Sequence, residues 1–246
     1  MSTAVVVTAA QGSFPGLLAA LREVPAPVEE YPLIAFEPPL EWQLVDEAIR
    51  NLNRFDALAV TSPRAASAFS GRVGTAGGRP HGIPSIWASG FGTAAALGDV
   101  LSPARTPSER LVGELGAAAA LAREMLTSGV RGPVLFPCGD IRRDELPARL
   151  RAAGVEVEEA VCYRSVLAGE FAARSAAERA RVLVVASPSV AALLARACPE
   201  GARPPLLVVG PTTAAAARAS GWAPAAIASQ PTVDALVAGV RTLLTR

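Results

Sequence analysis

Short apolar runs recur along the chain at strand length, and segments with helical spacing separate them. The runs begin near Val5, Asp56, Ser85, Val134, Val157, Val182, Leu206 and Ala225. Strands alternating in this way with helices predict an α/β chain built on parallel sheets. The helical period is clearest after the first run, where Phe14, Leu17, Leu18 and Leu21 fall on one face. A counterpart helix follows Val134, in DELPARLRAAG.

The same order of elements occurs twice. VVVTA, a helix and VEEYPLIAF overlay VLFPC, a helix and VEVEEAVCYRSV, setting Val5 on Val134 and Val28 on Val157. AVTSPRAASAF then falls on VASPSVAALL, GFGTAAAL on GPTTAAAA, and ERLVGELGAAAALAREM on TVDALVAGVRTLL. An offset of roughly 125 residues is too long for a solenoid unit and suits a duplicated domain. The best linkers are AFEPPLEW, with its Pro-Pro pair, and YRSVLAGEF at the matching place in the second half. Crossings there predict one discontinuous domain of residues 1–36 plus 168–246, a second of residues 40–163, and linkers near 36–40 and 163–168. Tyr163 is then expected at a strand end, beside the second linker.

Composition narrows the function classes. With 51% hydrophobic residues in 246, the chain can bury a sizeable core. Its 23 basic residues nearly balance 22 acidic ones, so it lacks the basic field that non-specific nucleic-acid binding draws upon. Every basic residue is Arg. Without Lys there is no Schiff-base chemistry and no Walker-type phosphate loop. Cys138, Cys162 and Cys198 are widely spaced and odd in number, which excludes a CxxC metal site or disulfide framework and fits a reducing cytoplasm. The N-terminal segment has no basic region before its short apolar run, and the alanine-rich runs break well before about 18 apolar residues, so neither a secretory signal nor a membrane span is expected. The single histidine, His81 in GGRPHGIPS, reads as an exposed loop residue, and a Ser-His-Asp triad would depend on it alone. The glycines of GTAGG and GFG do not form the dinucleotide-binding fingerprint.

Candidate chemistry gathers where strands end. Ser62 and Ser187 each close an apolar run and precede proline, so each can cap a helix with Pro63 or Pro188 at its first position. The free N–H groups and positive dipole end of such a helix also suit an anionic ligand. GFGTA, Gly90 to Ala94, and GPTTA, Gly210 to Ala214, repeat the device with a glycine turn and hydroxyls. Capping alone explains any one of these turns; four at matching strand ends fit a shared anion-binding cleft as well. Arg142 and Arg143 follow VLFPCGD and are either ligands for carboxylates or an ordinary solvated helix start. The Tyr163 phenol is either a proton or hydrogen-bond donor or a half-buried hinge residue.

AVTSPRAASAF, GFGTA after an apolar strand, LFPCGDIRRDELPARLRAAGVEVEEAVCYRS, VVASPSVAALL, VVGPTTAAAARASGW and ASQPTVDALVAGV, in this order and spacing, resemble the uroporphyrinogen-III synthase family over nearly the whole chain. The resemblance implies two flavodoxin-like α/β domains joined by a two-stranded linker. It implies an enzyme that closes linear hydroxymethylbilane to a macrocycle with its last pyrrole ring inverted, through loss of water and a spiro-pyrrolenine, using no metal or organic cofactor. The implied partner is that linear tetrapyrrole alone, with no nucleic acid or membrane, for a cytoplasmic monomer. Tyr163 matches the tyrosine that the family places in the cleft and is the catalytic candidate. Ser62, Thr93, Ser187, Ser189, Thr212 and Thr213 occupy matching turn positions and are assigned to carboxylate binding and substrate positioning, with Arg64 and Arg143 as further substrate-binding candidates. The chain departs from the family at Ala9, where many members have Arg, and at Gly92 before Thr93. A non-catalytic two-domain binder of a small anionic metabolite is the alternative reading, and turnover separates the two.

Overall fold

In a computed structural model, residues 3–75 and 82–245 are described; His81 and the glycine pair of GTAGG lie outside them. The chain opens with β1 (Ala4–Val7), α1 (Leu17–Leu21) and β2 (Val28–Glu30). It continues through β3 (Ile34–Glu37), α2 (Gln43–Arg50), β4 (Ala57–Val60), α3 (Pro63–Thr75), β5 (Ser85–Ala88), α4 (Phe91–Leu97), α5 (Glu109–Leu115), α6 (Ala117–Thr127), β6 (Val134–Gly139), α7 (Glu145–Ala152) and β7 (Val157–Leu167). The last part holds α8 (Glu170–Arg179), β8 (Ala180–Val185), α9 (Pro188–Ala197), β9 (Leu206–Val209), α10 (Gly210–Ala219), β10 (Ala226–Ala228) and α11 (Val233–Leu244).

Two compact units result: unit 1, Met1–Phe36 with Val166–Arg246, and unit 2, Glu37–Ser165. In unit 1 the sheet runs β10-β9-β8-β1-β2 with every neighbouring pair parallel. Numbered within the unit, this is the doubly wound 2-1-3-4-5 order of flavodoxin-like folds. The sheet of unit 2 runs β3-β7-β6-β4-β5, with β7, β6, β4 and β5 parallel. A single parallel bridge from Trp87 to Arg105 stands where a fifth wound strand would be. Val5 pairs with Val28 in unit 1 and Val134 with Val157 in unit 2, the pairs that the sequence overlay sets on one another.

Alternation along the strands divides each unit into two cores, one on each face of its sheet. In unit 1, Ala4 and Val6 face the alanine-rich sides of α8, α9 and α10, whereas Val5 and Val7 face α1 and α11. In unit 2, Leu58 and Val60 pack with Phe69 and Val73 of α3, whereas Ala57 and Ala59 pack with Leu121 and Met125 of α6 and Leu150 of α7. The face expected from Phe14, Leu17, Leu18 and Leu21 does pack on one core, but α1 has only five residues. Pro15 precedes it, and Gly16 at its N-cap has φ +84, so helical geometry cannot reach back to Phe14.

Candidate active site

The topology fixes where a ligand can enter. In unit 2 the chain leaves β6 toward β7 on one side and leaves β4 toward β5 on the other, which opens a crevice at the carboxyl ends of β6 and β4. A cleft of about 370 Å³ lies there, lined by Thr61 and Ser62 after β4, Ser89 after β5, Cys138 and Gly139 of β6, Ile141, Arg142 and Arg143 of the following turn, and Tyr163 of β7.

Tyr163 lies within β7 and not at its end. The strand continues to Leu167, beside β3 in the sheet order, and Arg164 forms an ion pair with Glu37. The phenol ring covers Gly139: a Cβ at that glycine would stand 2.5 Å from Cζ of Tyr163 and 2.8 Å from Oη. A side chain at 139 would force the ring to move from this position. Beneath, Cys138 and Cys162 are buried, and burial pushes each thiol up to about 12, so neither supplies a thiolate near neutral pH.

The charged residues that line the cleft are Arg142 and Arg143 of the turn after β6 and Glu145 at the start of α7. Two N–H groups of Arg142 donate to the Glu159 carboxylate at 2.7 Å each, and Arg151 donates to it at 2.8 Å. Burial opposes ionisation of Glu159, but the bonds from Arg151 and Arg142 outweigh it and hold its carboxyl below the ordinary value. Asp144 lies 3.5 Å from Arg142, which balances two guanidinium groups with two carboxylates. Arg143 is exposed at the cleft and forms no ion pair among the described residues.

Ser62, Arg143 and Tyr163 thus come together in one cleft. The Ser62 hydroxyl also caps α3, accepting from Ala65 N at 3.3 Å. Thr93 is buried and its hydroxyl lies 3.3 Å from that of Ser89, while Arg64 projects from the exposed side of α3. In unit 1, Ser187 precedes α9 with no side-chain cap; its hydroxyl meets that of Ser189 at 2.8 Å. Thr212 is exposed on the first turn of α10, and Thr213 is buried, donating to Ala186 O at 3.4 Å. A separate cleft of about 400 Å³ follows β1, and Ala9, where the family pattern has Arg, contributes only a methyl group to it. Sequence reading missed Thr61, Ser89 and Gly139 of the cleft lining, and Glu159, which holds Arg142 from β7. Glu159 was discoverable from register, since it pairs with Phe136 three residues before Gly139.

No group of three or more His, Cys, Asp or Glu among the described residues can hold a metal ion. No helix there is long and apolar enough to cross a membrane. Hydroxyls, arginines and a phenol at the switch point of a doubly wound sheet define an α/β protein with a polar cleft at its strand ends. The particular family follows from the whole chain: residues 16–238 match the model of uroporphyrinogen-III synthase HemD, and the chain belongs to that family of heme-biosynthesis enzymes. A crystal structure of a mutant uroporphyrinogen III synthase from Thermus thermophilus shares 17% identity over 99% of both chains, with a TM-score of 0.66. The wild-type Thermus thermophilus enzyme gives 18% over 99% of this chain and 98% of that one, with 0.52. The Helicobacter pylori uroporphyrinogen-III synthetase gives 18% over 99% and 100%, with 0.56. At these identities the structures establish the shared fold. No curated protein sequence matches the chain.

Proposed function

We propose that the chain is a cyclising lyase that converts hydroxymethylbilane to uroporphyrinogen III with loss of water. The observation that carries the reading is the Tyr163 phenol set over Gly139 in a cleft that also holds Ser62 and Arg143. Tyr163 donates a proton or hydrogen bond to the departing hydroxyl, leaving an electrophilic azafulvene. The substituted carbon of the last ring attacks it, and fragmentation and reclosure invert that ring. Nucleophile and electrophile belong to one molecule, so the protein's main task is to hold the reacting conformation.

Ser62, the N–H groups at the start of α3 and Arg143 bind carboxylates of the substrate. Ser187, Ser189 and Thr212, at the helix starts of unit 1, are that unit's own candidates for binding carboxylates. The enzyme works as a cytoplasmic monomer without a cofactor; its free buried cysteines suit a reducing compartment.

The test supplies freshly generated hydroxymethylbilane, oxidises the products and separates the isomers by chromatography. Type III product above a protein-free control is expected, and Tyr163→Phe lowers kcat by about 10- to 100-fold with KM within about threefold. Type I product alone from folded protein overturns the reading, and unchanged turnover in Tyr163→Phe removes the phenol from the chemistry.

A further inference from the structure

We infer that Asp140 is a positioning residue for the Tyr163 phenol, acting through an irregular junction between β6 and β7. The inference rests on the chemical role of Tyr163 proposed above.

The junction begins with a change of register. Pairing proceeds one to one from Val134 and Val157 to Cys138 and Val161, but Gly139 then pairs with Tyr163, leaving Cys162 as an extra residue. Such a bulge re-aims the side chains beyond it. Consecutive residues of a regular strand point to opposite faces, yet Cys162 and Tyr163 both pack against the core formed with α2, α3 and α4. The bulge has turned the tyrosine to the side that the period of two denies it. Gly139 then leaves room for the ring.

A bulge also forfeits ladder hydrogen bonds, so something must hold the turned residue. Asp140 N donates to Tyr163 O at 3.0 Å. Its side-chain Oδ1 accepts from Ser165 N at 2.9 Å and from Ile141 N at 2.8 Å. One residue therefore holds β7 on both sides of Arg164, at positions 163 and 165, and ties that grip to the turn carrying Arg142 and Arg143. Asp140 itself does not line the cleft, and its hydrogen-bonding carboxylate oxygen is committed to backbone. Its side chain therefore acts through the backbone it holds, in β7 two residues beyond Tyr163 and at the start of the turn after β6.

Three variants and a double mutant test this. Asp140→Asn keeps an acceptor oxygen without the charge and should stay within about twofold of the parent kcat. Asp140→Glu keeps the charge but displaces the acceptor by one methylene, and Asp140→Ala removes it; both should lower kcat, the alanine variant by about tenfold, with KM within about twofold. In a Tyr163→Phe background, Asp140→Ala should have no further effect, because the group it positions is gone.

An equal loss in both backgrounds marks a merely structural residue and overturns the inference. So does a parent-like rate for Asp140→Ala, or a Glu variant that outperforms Asn. If Asp140→Ala does not fold, the Asn and Glu variants still decide by their order. A parent-like Tyr163→Phe would instead defeat the reading of the reaction, which separates the two failures.

Discussion

Gly139 and Tyr163 make one unit of design at the scale of single residues. A methyl group at 139 would overlap the phenol ring, so the ring would have to shift from its place in the cleft. Gly139→Ala is expected to cost about 1–3 kcal/mol of stability by overpacking and to lower turnover at least as much as Tyr163→Phe. Urea denaturation and the isomer-resolved assay check both; parent values in each would show that the ring contact is dispensable. The sequence marked Tyr163 through its motif but was silent on Gly139, because glycine's need here comes from a neighbour 24 positions later. Side-chain direction was equally illegible. Thr93 and Thr213 stand in turns that read as ligand-binding, and in the structure both are buried, the first with its hydroxyl 3.3 Å from that of Ser89 and the second donating to the Ala186 carbonyl. Composition cannot distinguish a hydroxyl that faces a cleft from one that ties two turns together.

Elements were easier to read, since every run named from the sequence became a strand with buried apolar faces. Their lengths were not, where a partner decides them. β7 extends past Tyr163 alongside β3, and α1 is cut short by Pro15 and Gly16. The turn entering β6 shows how one side chain can set an element's start. Asp56, immediately before β4, accepts from Arg131 N at 2.9 Å and Gly132 N at 3.0 Å through one carboxylate oxygen. The backbone donors of Gly132 and Arg131 hold its carboxyl below the ordinary 3.8. A depressed carboxyl adds stability above its unfolded value and loses it as pH falls through the folded one. Asp56→Ala should therefore lower stability by about 1–2 kcal/mol at pH 7. Its deficit should shrink as pH falls below 3.8. Urea midpoints at neutral and acid pH measure this; a deficit independent of pH would assign the effect to packing.

At the scale of the molecule, the order of motifs made the family legible although no single turn was specific, and the family match spans residues 16–238. The physical counterpart is that each unit has its own sheet with a core on either face. Separate cores predict separate cooperative unfolding, and the cysteines report it: Cys198 lies in unit 1, Cys138 and Cys162 in unit 2, and all three are free and buried. In a denaturant series followed by thiol alkylation and mass spectrometry, Cys138 and Cys162 should become reactive together, and Cys198 at a different concentration. One shared midpoint for all three would mean that the units unfold as a single body. Alkali gives the same thiols a second role. Burial raises Cys138 and Cys162 from 9.0 to about 12, so the unfolded chain loses protons first and stability falls as pH rises between those values. The loss grows steadily with pH over that interval, because the folded thiols stay protonated while those of the unfolded chain ionise. Because both sit in unit 2, its midpoint should fall faster above pH 9 than in a Cys138→Ala variant; equal slopes would show that the buried thiol does not govern the alkaline limit.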